Sequence, residues 1–221
     1  METSIIDSWQ TNANEWIKII ENQKIESRIH SNKAIESVVK EMPEKKILDV
    51  GCGEGWLTRS MTKMGKEVTG VDAIEVLLVY AQSKTTGSET FFTMSYKEIV
   101  DGKQVPNSPF EVAIFNFCLY EKDNLIELFQ ATRNLLNQEG KILIQTLHPY
   151  FMTKNNLEYK SQILFDSFKG LPGNFSKSHE WYARTIEDWV SLILDAKMNI
   201  LEMKEVVNDQ KTPISLILKI S

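Results

Sequence analysis

The chain predicts an α/β fold, a mostly parallel sheet with helices on both faces, and three observations carry that prediction. Short apolar runs alternate with helical stripes between about residues 45 and 147, the texture of βαβ units. A glycine cluster, Gly51-Cys52-Gly53-Glu54-Gly55, joins the first of those runs to the stripe that follows it. Near the C-terminal end two apolar runs are separated only by a short turn, which demands an antiparallel pair.

The elements follow in order. Ile5, Trp9, Ala13, Trp16 and Ile20 step by three or four and share one helical face. A second helix is expected through Ala34, Ile35, Val38, Val39 and Met42, with Ser31 or Asn32 as N-cap and Pro43 as the stop. Lys46–Val50 reads as a buried parallel strand. Leu57, Met61 and Met64 form the next helix, closed by Gly65. Glu67–Val71 is a strand, Ala73–Lys84 a helix, Thr90–Met94 a third strand and Phe110–Phe117 a fourth. A helical stripe through Leu125, Leu128, Phe129, Leu135 and Leu136 is expected to open on an Asn124/Glu127 capping box and to end at Gly140. Lys141–Leu147 is a fifth strand. Thr185 and Asp188 cap a helix over Ile186–Lys197, and Ile200–Val206 and Ile214–Ile220 form the hairpin around the turn at Asp209–Pro213.

Composition excludes several function classes. The 221 residues carry 25 Lys+Arg against 30 Asp+Glu, a formal charge of −5, which disfavours nucleic acid as a partner. The longest apolar run, Val76–Ala81, is far short of a membrane helix, and no basic-then-apolar leader opens the chain. A cytoplasmic protein of one domain is expected, its division being an N-terminal helical lid at 1–42, a core at 45–147, a lid at 150–184 and a terminal helix and hairpin at 185–221. Cys52 and Cys118 lack disulfide or zinc spacing, and the three histidines do not form a metal pattern, so no metal is expected. Cys118 reads as a small core hydrophobe.

In an open parallel sheet ligands sit beyond the carboxyl ends of the strands, where the glycine cluster lies. A dinucleotide fingerprint needs Gly or Ala at position 56, and this chain has Trp56. Asp49 and Glu54 would crowd a pyrophosphate with negative charge, whereas they suit a cationic ligand. Asp72, 21 residues after Gly51, is placed to hold a ribose diol. A nucleoside without phosphates and with positive charge is therefore indicated, and S-adenosylmethionine is one. The pair Tyr80 and Lys84 mimics a dehydrogenase dyad but lies in the helix after Asp72, away from a catalytic position.

Ile47-Leu48-Asp49-Val50-Gly51-Cys52-Gly53-Glu54-Gly55 resembles the first motif of class I S-adenosylmethionine-dependent methyltransferases of the small-molecule type. The resemblance continues through Gly70-Val71-Asp72, Phe110–Ile114 and Gly140–Ile144. It implies a Rossmann-like, doubly wound seven-stranded sheet with its last strand antiparallel, and S-adenosylhomocysteine as product. It places Asp49 and the amides of Gly51, Cys52 and Gly53 around the methionine moiety, Asp72 on the ribose, and Ala73 and Ile74 on the adenine. Ser95 and Tyr96 stand where the family often has an Asp for the adenine amine, Asn116 where the ammonium is met, and Arg28 within reach of the carboxylate.

The acceptor is a separate question. Methyl transfer needs positioning above all, and a base only where the acceptor must lose a proton. The fourth strand ends Asn116-Phe117-Cys118-Leu119-Tyr120, without the Asn/Asp-Pro-Pro-Tyr pattern of many DNA and protein amino-group methyltransferases. Residues 150–184 hold eight aromatics in 35 residues and a charge of +2, and are expected to form a lid over an acceptor pocket. Tyr150, His179, Trp181 and Tyr182 are its candidate substrate residues, and His148, just past the fifth strand, is the candidate general base. His30 is expected at the surface. Methyl transfer to oxygen or nitrogen of a small molecule is the expected function; the competing expectation is a non-catalytic domain that keeps the fold as a cofactor-binding or interaction module.

Overall fold

The computed structural model describes residues 2–22 and 25–221. Helices α1 (Glu2–Glu21) and α2 (Ser27–Glu41) precede strand β1 (Lys46–Val50). Then come α3 (Trp56–Lys63), β2 (Glu67–Asp72), α4 (Glu75–Ser83), β3 (Thr90–Thr93), α5 (Tyr96–Val100) and β4 (Phe110–Asn116). They are followed by α6 (Leu125–Asn134), β5 (Leu136–Leu147), α7 (Tyr150–Lys154), β6 (Gln162–Leu164) and β7 (Trp181–Ala183). The chain closes with α8 (Ile186–Asp195), β8 (Ile200–Val207) and β9 (Pro213–Ile220).

Seven strands form one sheet in the order β3-β2-β1-β4-β5-β9-β8, and β6 pairs with β7 apart from it. β1 runs parallel to β2 and β4, and β9 runs antiparallel to β5 and β8. The expected mostly parallel sheet with its antiparallel end is what the chain builds. Side-chain alternation feeds two cores. Leu48 and Val50 point to the face covered by α5, α6 and α8, while Ile47 points to the face covered by α2 and α3. The strand order reverses at β1, which opens a crevice between the carboxyl ends of β1 and β4. Helix α1 lies on α4, with Ala13 and Ile17 buried against Ile74 and Leu77.

Several local expectations are corrected. α2 begins at Ser27, so Ser31 is a buried interior residue whose hydroxyl donates to the Ser27 carbonyl, not a cap. Asn124 precedes α6 in a left-handed conformation with no side-chain cap. That helix ends at Asn134, and Leu136 already pairs with Phe110, so Gly140 belongs to the irregular start of β5. The added helix α5 opens on a complete capping box: Ser95 Oγ accepts from the Glu98 N–H, and the Glu98 carboxylate accepts from the Ser95 N–H. Thr185 caps α8 as expected, accepting from the Asp188 N–H.

Candidate active site

A cavity of about 790 Å³ opens at the carboxyl ends of β1, β2 and β4. Its floor is the glycine loop. Gly51 has φ +70°, and a Cβ there would stand 2.7 Å from the Cys118 Cβ, so only glycine lets β1 turn so close to the end of β4. The loop amides are spent within the protein. Gly51 and Cys52 N–H both donate to the Val71 carbonyl, at 2.8 and 3.0 Å, and Gly53 N–H donates to Asp72 Oδ2 at 2.8 Å. The amide cradle expected at Gly51, Cys52 and Gly53 is thus corrected: these residues line the cavity, with their N–H groups directed at β2.

Acids dominate this half. Asp49 is buried and accepts from the Thr58 hydroxyl at 2.6 Å. Burial, opposed by the Thr58 bond and aided by Glu54 and Asp72, pushes its carboxyl up to about 7. Asp72 Oδ1 accepts from the Ile74 N–H, and burial raises that carboxyl to about 6. Glu54 takes the Trp16 indole N–H on Oε2, while its Oε1 is buried with no hydrogen-bond partner. Asn116 Oδ1 is a second buried acceptor without a partner. Both residues line the cavity, and buried acceptors left over in this way call for a donor from a ligand.

Arg28 lines the cavity on this side, and it is no free surface residue. It lies 5.6 Å from the Trp16 ring and 5.0 Å from the Trp56 ring, and burial lowers its pKa against the pull of Glu54. Ala73, Ile74 and Tyr96 line the cavity. Ser95 does not. Its hydroxyl and N–H are committed to the Glu98 capping box, so the contact expected of it is withdrawn. Cys118 is more than core filler: its Sγ donates to the Val50 carbonyl, and the residue lines the cavity.

The opposite half is built by the segment after β5 and by α1. Trp181 and Tyr182 line it, with Phe151 packed on Trp181 at a centroid distance of 5.5 Å. Tyr150 is instead exposed and outside the lining, because α7 turns its ring outward. His179 is also outside. It is buried among Trp9, Tyr120 and Phe168, its Nδ1 meets the hydroxyls of Ser8 and Ser167, and burial lowers its pKa to about 4. His148 is the largest correction. Its Nδ1 accepts from the Tyr150 N–H at 3.0 Å, so Nε2 holds the proton and donates to Glu205 at 2.7 Å, and the ring does not reach the cavity. The strand end that puts His148 on the ligand edge also turns its ring toward β8. His30 is half-buried and lies 3.7 Å from Asp209. Tyr80 donates to Glu21, which Lys84 also meets, so that pair ties α4 to α1. Among the described residues no cluster could hold a metal, and no helix is long and apolar enough to cross a membrane.

Two residues have contacts here that their sequence positions, Trp16 on a helical face and Arg184 among the charges after the fifth strand, do not show. Trp16 reaches the loop through Glu54, and Arg184, buried, holds the carbonyls of Glu121 and Lys122 with its two terminal nitrogens.

Comparison with known proteins places this architecture. The Bacillus subtilis protein YqeM is 33% identical over 120 residues, 50% of this chain and 45% of that protein. A ubiquinone biosynthesis O-methyltransferase of Glaesserella parasuis is 32% identical over 111 residues, 47% of this chain and 46% of the relative. The chain therefore matches about half the length of these relatives. In structure, the magnesium protoporphyrin IX methyltransferase of Synechocystis PCC 6803, solved with bound S-adenosylhomocysteine, superposes with a TM-score of 0.68 at 16% identity, covering 100% of this chain and 99% of that one. That likeness shows the Rossmann-like fold of S-adenosylmethionine-dependent methyltransferases. The family model described as a methyltransferase domain matches residues 25–201, and the chain belongs to that family.

Proposed function

We propose that the protein transfers a methyl group from S-adenosylmethionine to oxygen or nitrogen of a small molecule, releasing S-adenosylhomocysteine. The observation that carries this reading is the charge of the glycine-loop half: Asp49, Glu54 and Asp72 crowd one wall of the cavity, and Glu54 and Asn116 keep unpartnered buried acceptors there. Such a wall favours a ligand with cationic donors and repels a pyrophosphate. When bound, the cofactor would supply a methyl carbon already activated by its sulfonium; the acceptor's lone pair would form the new bond as the C–S pair leaves on sulfur, and the acceptor's O–H or N–H proton would pass to water.

The chain's own residues bind and orient. Asp72 would hold the ribose hydroxyls, Ala73 and Ile74 the adenine, Asn116 and Glu54 the ammonium, and Arg28 the carboxylate. Residues 150–184 and the N-terminal helix would cover the acceptor and exclude water. With His148 facing Glu205, no histidine is assigned as base.

Calorimetry and turnover test the proposal. S-adenosylmethionine or S-adenosylhomocysteine should bind and NAD should not. Asp72→Ala should weaken that binding roughly ten- to a hundredfold, the loss of charge-assisted bonds worth ~1.5–3 kcal/mol. Tight NAD binding without response to the sulfonium cofactor ends this reading. Cofactor binding without formation of S-adenosylhomocysteine on any acceptor of a metabolite extract would favour the non-catalytic alternative.

A further inference from the structure

We infer that the methyl acceptor is an aromatic molecule without an acidic group; this deepens the proposed function and rests on it. The half of the cavity facing away from the glycine loop is walled by rings and aliphatic chains. Phe151 and Trp181 pack together there, and Leu164, Tyr182 and Trp189 extend the same wall. Rings prefer such walls because they bury area and accept edge and face contacts at little entropic cost.

The mouth repeats the pattern. Phe165 is 71% exposed and Leu147 42% exposed, and both line the cavity, so an apolar approach is held open to solvent. Exposed apolar surface at the rim of a pocket marks a place where a ligand covers it. The size excludes a macromolecule as the group received: about 790 Å³ must hold cofactor and acceptor together.

The cations of this half do not make an anion site. Arg184 spends both terminal nitrogens on the carbonyls of Glu121 and Lys122, its guanidinium lies over Tyr182 and Trp189, and its Nε faces Asp188 at 3.8 Å. Lys169 is exposed at the rim, where solvent screens its charge, and Asp166 lines the cavity from the same turn. An acidic acceptor would give up its hydration for apolar walls and for the field of Asp49, Glu54 and Asp72, which costs affinity.

Binding, read without turnover, tests this. 2-Naphthol, 2-naphthoate and adipate are titrated by calorimetry into the protein saturated with S-adenosylhomocysteine, and S-adenosylhomocysteine is titrated alone alongside. 2-Naphthol should bind at least about tenfold more tightly than either acid. Phe151→Ala and Trp181→Ala should each weaken it by about tenfold or more, as loss of a ring anchor does, with S-adenosylhomocysteine affinity kept within about twofold. Either variant serves if the other fails to fold. Absence of 2-naphthol binding, an acid bound as tightly, or an unchanged affinity in the variants overturns the inference. S-adenosylhomocysteine binding beside a preference for an acid removes the acceptor class alone; no S-adenosylhomocysteine binding removes the cofactor reading as well.

Discussion

The two halves of the cavity are held together by different reaches of chain. The glycine-loop half is tied by near neighbours: Gly53 to Asp72 across 19 residues, and Asp49 to Thr58 across nine. The covering half is tied by far ones. Ser8 and Asn12 side chains donate to the Lys177 carbonyl at 2.7 and 2.6 Å, across 169 and 165 residues, and the Ser176 N–H returns to Asn12 Oδ1. One half is a consequence of strand pairing; the other is a clasp made by a few polar side chains over apolar packing. Under the proposed function such a clasp should open at lower free energy than the sheet, as a cover over a substrate site would.

The largest expected effect breaks the rigid half. Gly51→Ala forces an L-residue into a left-handed turn and drives its Cβ onto Cys118 at 2.7 Å. Strain and overpacking together should cost ~2–5 kcal/mol, lowering Tm by roughly 5–15 °C for a chain of this length and removing cofactor binding. A scanning-calorimetry Tm within a degree of wild type would show that the turn tolerates a side chain.

Next comes the charge of that half. Free Asp49 and Asp72 carboxyls sit near 7 and 6, above their ordinary value, so the folded protein holds protons there that the unfolded chain has lost. The pair stabilises the apoprotein fully below about pH 4, and that contribution fades as pH rises through 6 to 7. A cationic ligand reverses the preference, because it needs both carboxylates ionised. Its affinity should therefore rise with pH from 5 to 8, and Asp49→Asn should flatten that slope; calorimetry across the range decides.

The clasp should yield to a smaller change. Asn12→Ala removes one accepted and two donated hydrogen bonds from a buried junction, an expected ~1–3 kcal/mol. The loss should appear as faster proteolysis between residues 165 and 179 and a raised KM for the acceptor, with cofactor Kd unchanged. The same region carries His179, depressed to about 4 by burial, so its share of stability is present above pH 6.5 and is lost as pH falls toward 4.

The smallest expected effect is on His148. His148→Asn should leave turnover within about twofold while removing the link to Glu205, worth about 1–2 kcal/mol at a half-exposed partner. A hundredfold loss of rate would return His148 to the reaction.

Local signals in the chain carried the sheet and the loop. The runs at Lys46–Val50 and Phe110–Asn116 have the length and apolarity of buried strands, and the glycines between Asp49 and Trp56 fit only a tight turn. Ser95-x-x-Glu98 has the spacing of a capping box, yet Ser95 is read from the sequence as an adenine contact, and the short helix it opens is not revealed by apolar periodicity. What stayed hidden was direction. The position of His148 beyond β5 is readable, but the choice between cavity and Glu205 is made by β8, more than fifty residues on. Arg28 likewise has no local feature that announces Trp16 and Trp56 on either side of it.

The clasp at Lys177 has a kinetic side. Helix α1 is synthesised 165 residues before the carbonyl that Asn12 needs, an interval of roughly 8–30 s at ordinary ribosome speeds. Its earlier partner is α4, reached through the Ala13 and Ile17 face and the Tyr80–Glu21 bond across 59 residues. A nascent chain would then dock α1 on α4 first and keep the Trp9 ring waiting for Tyr120, Phe168 and His179, so a chaperone that shields that ring has its longest window there.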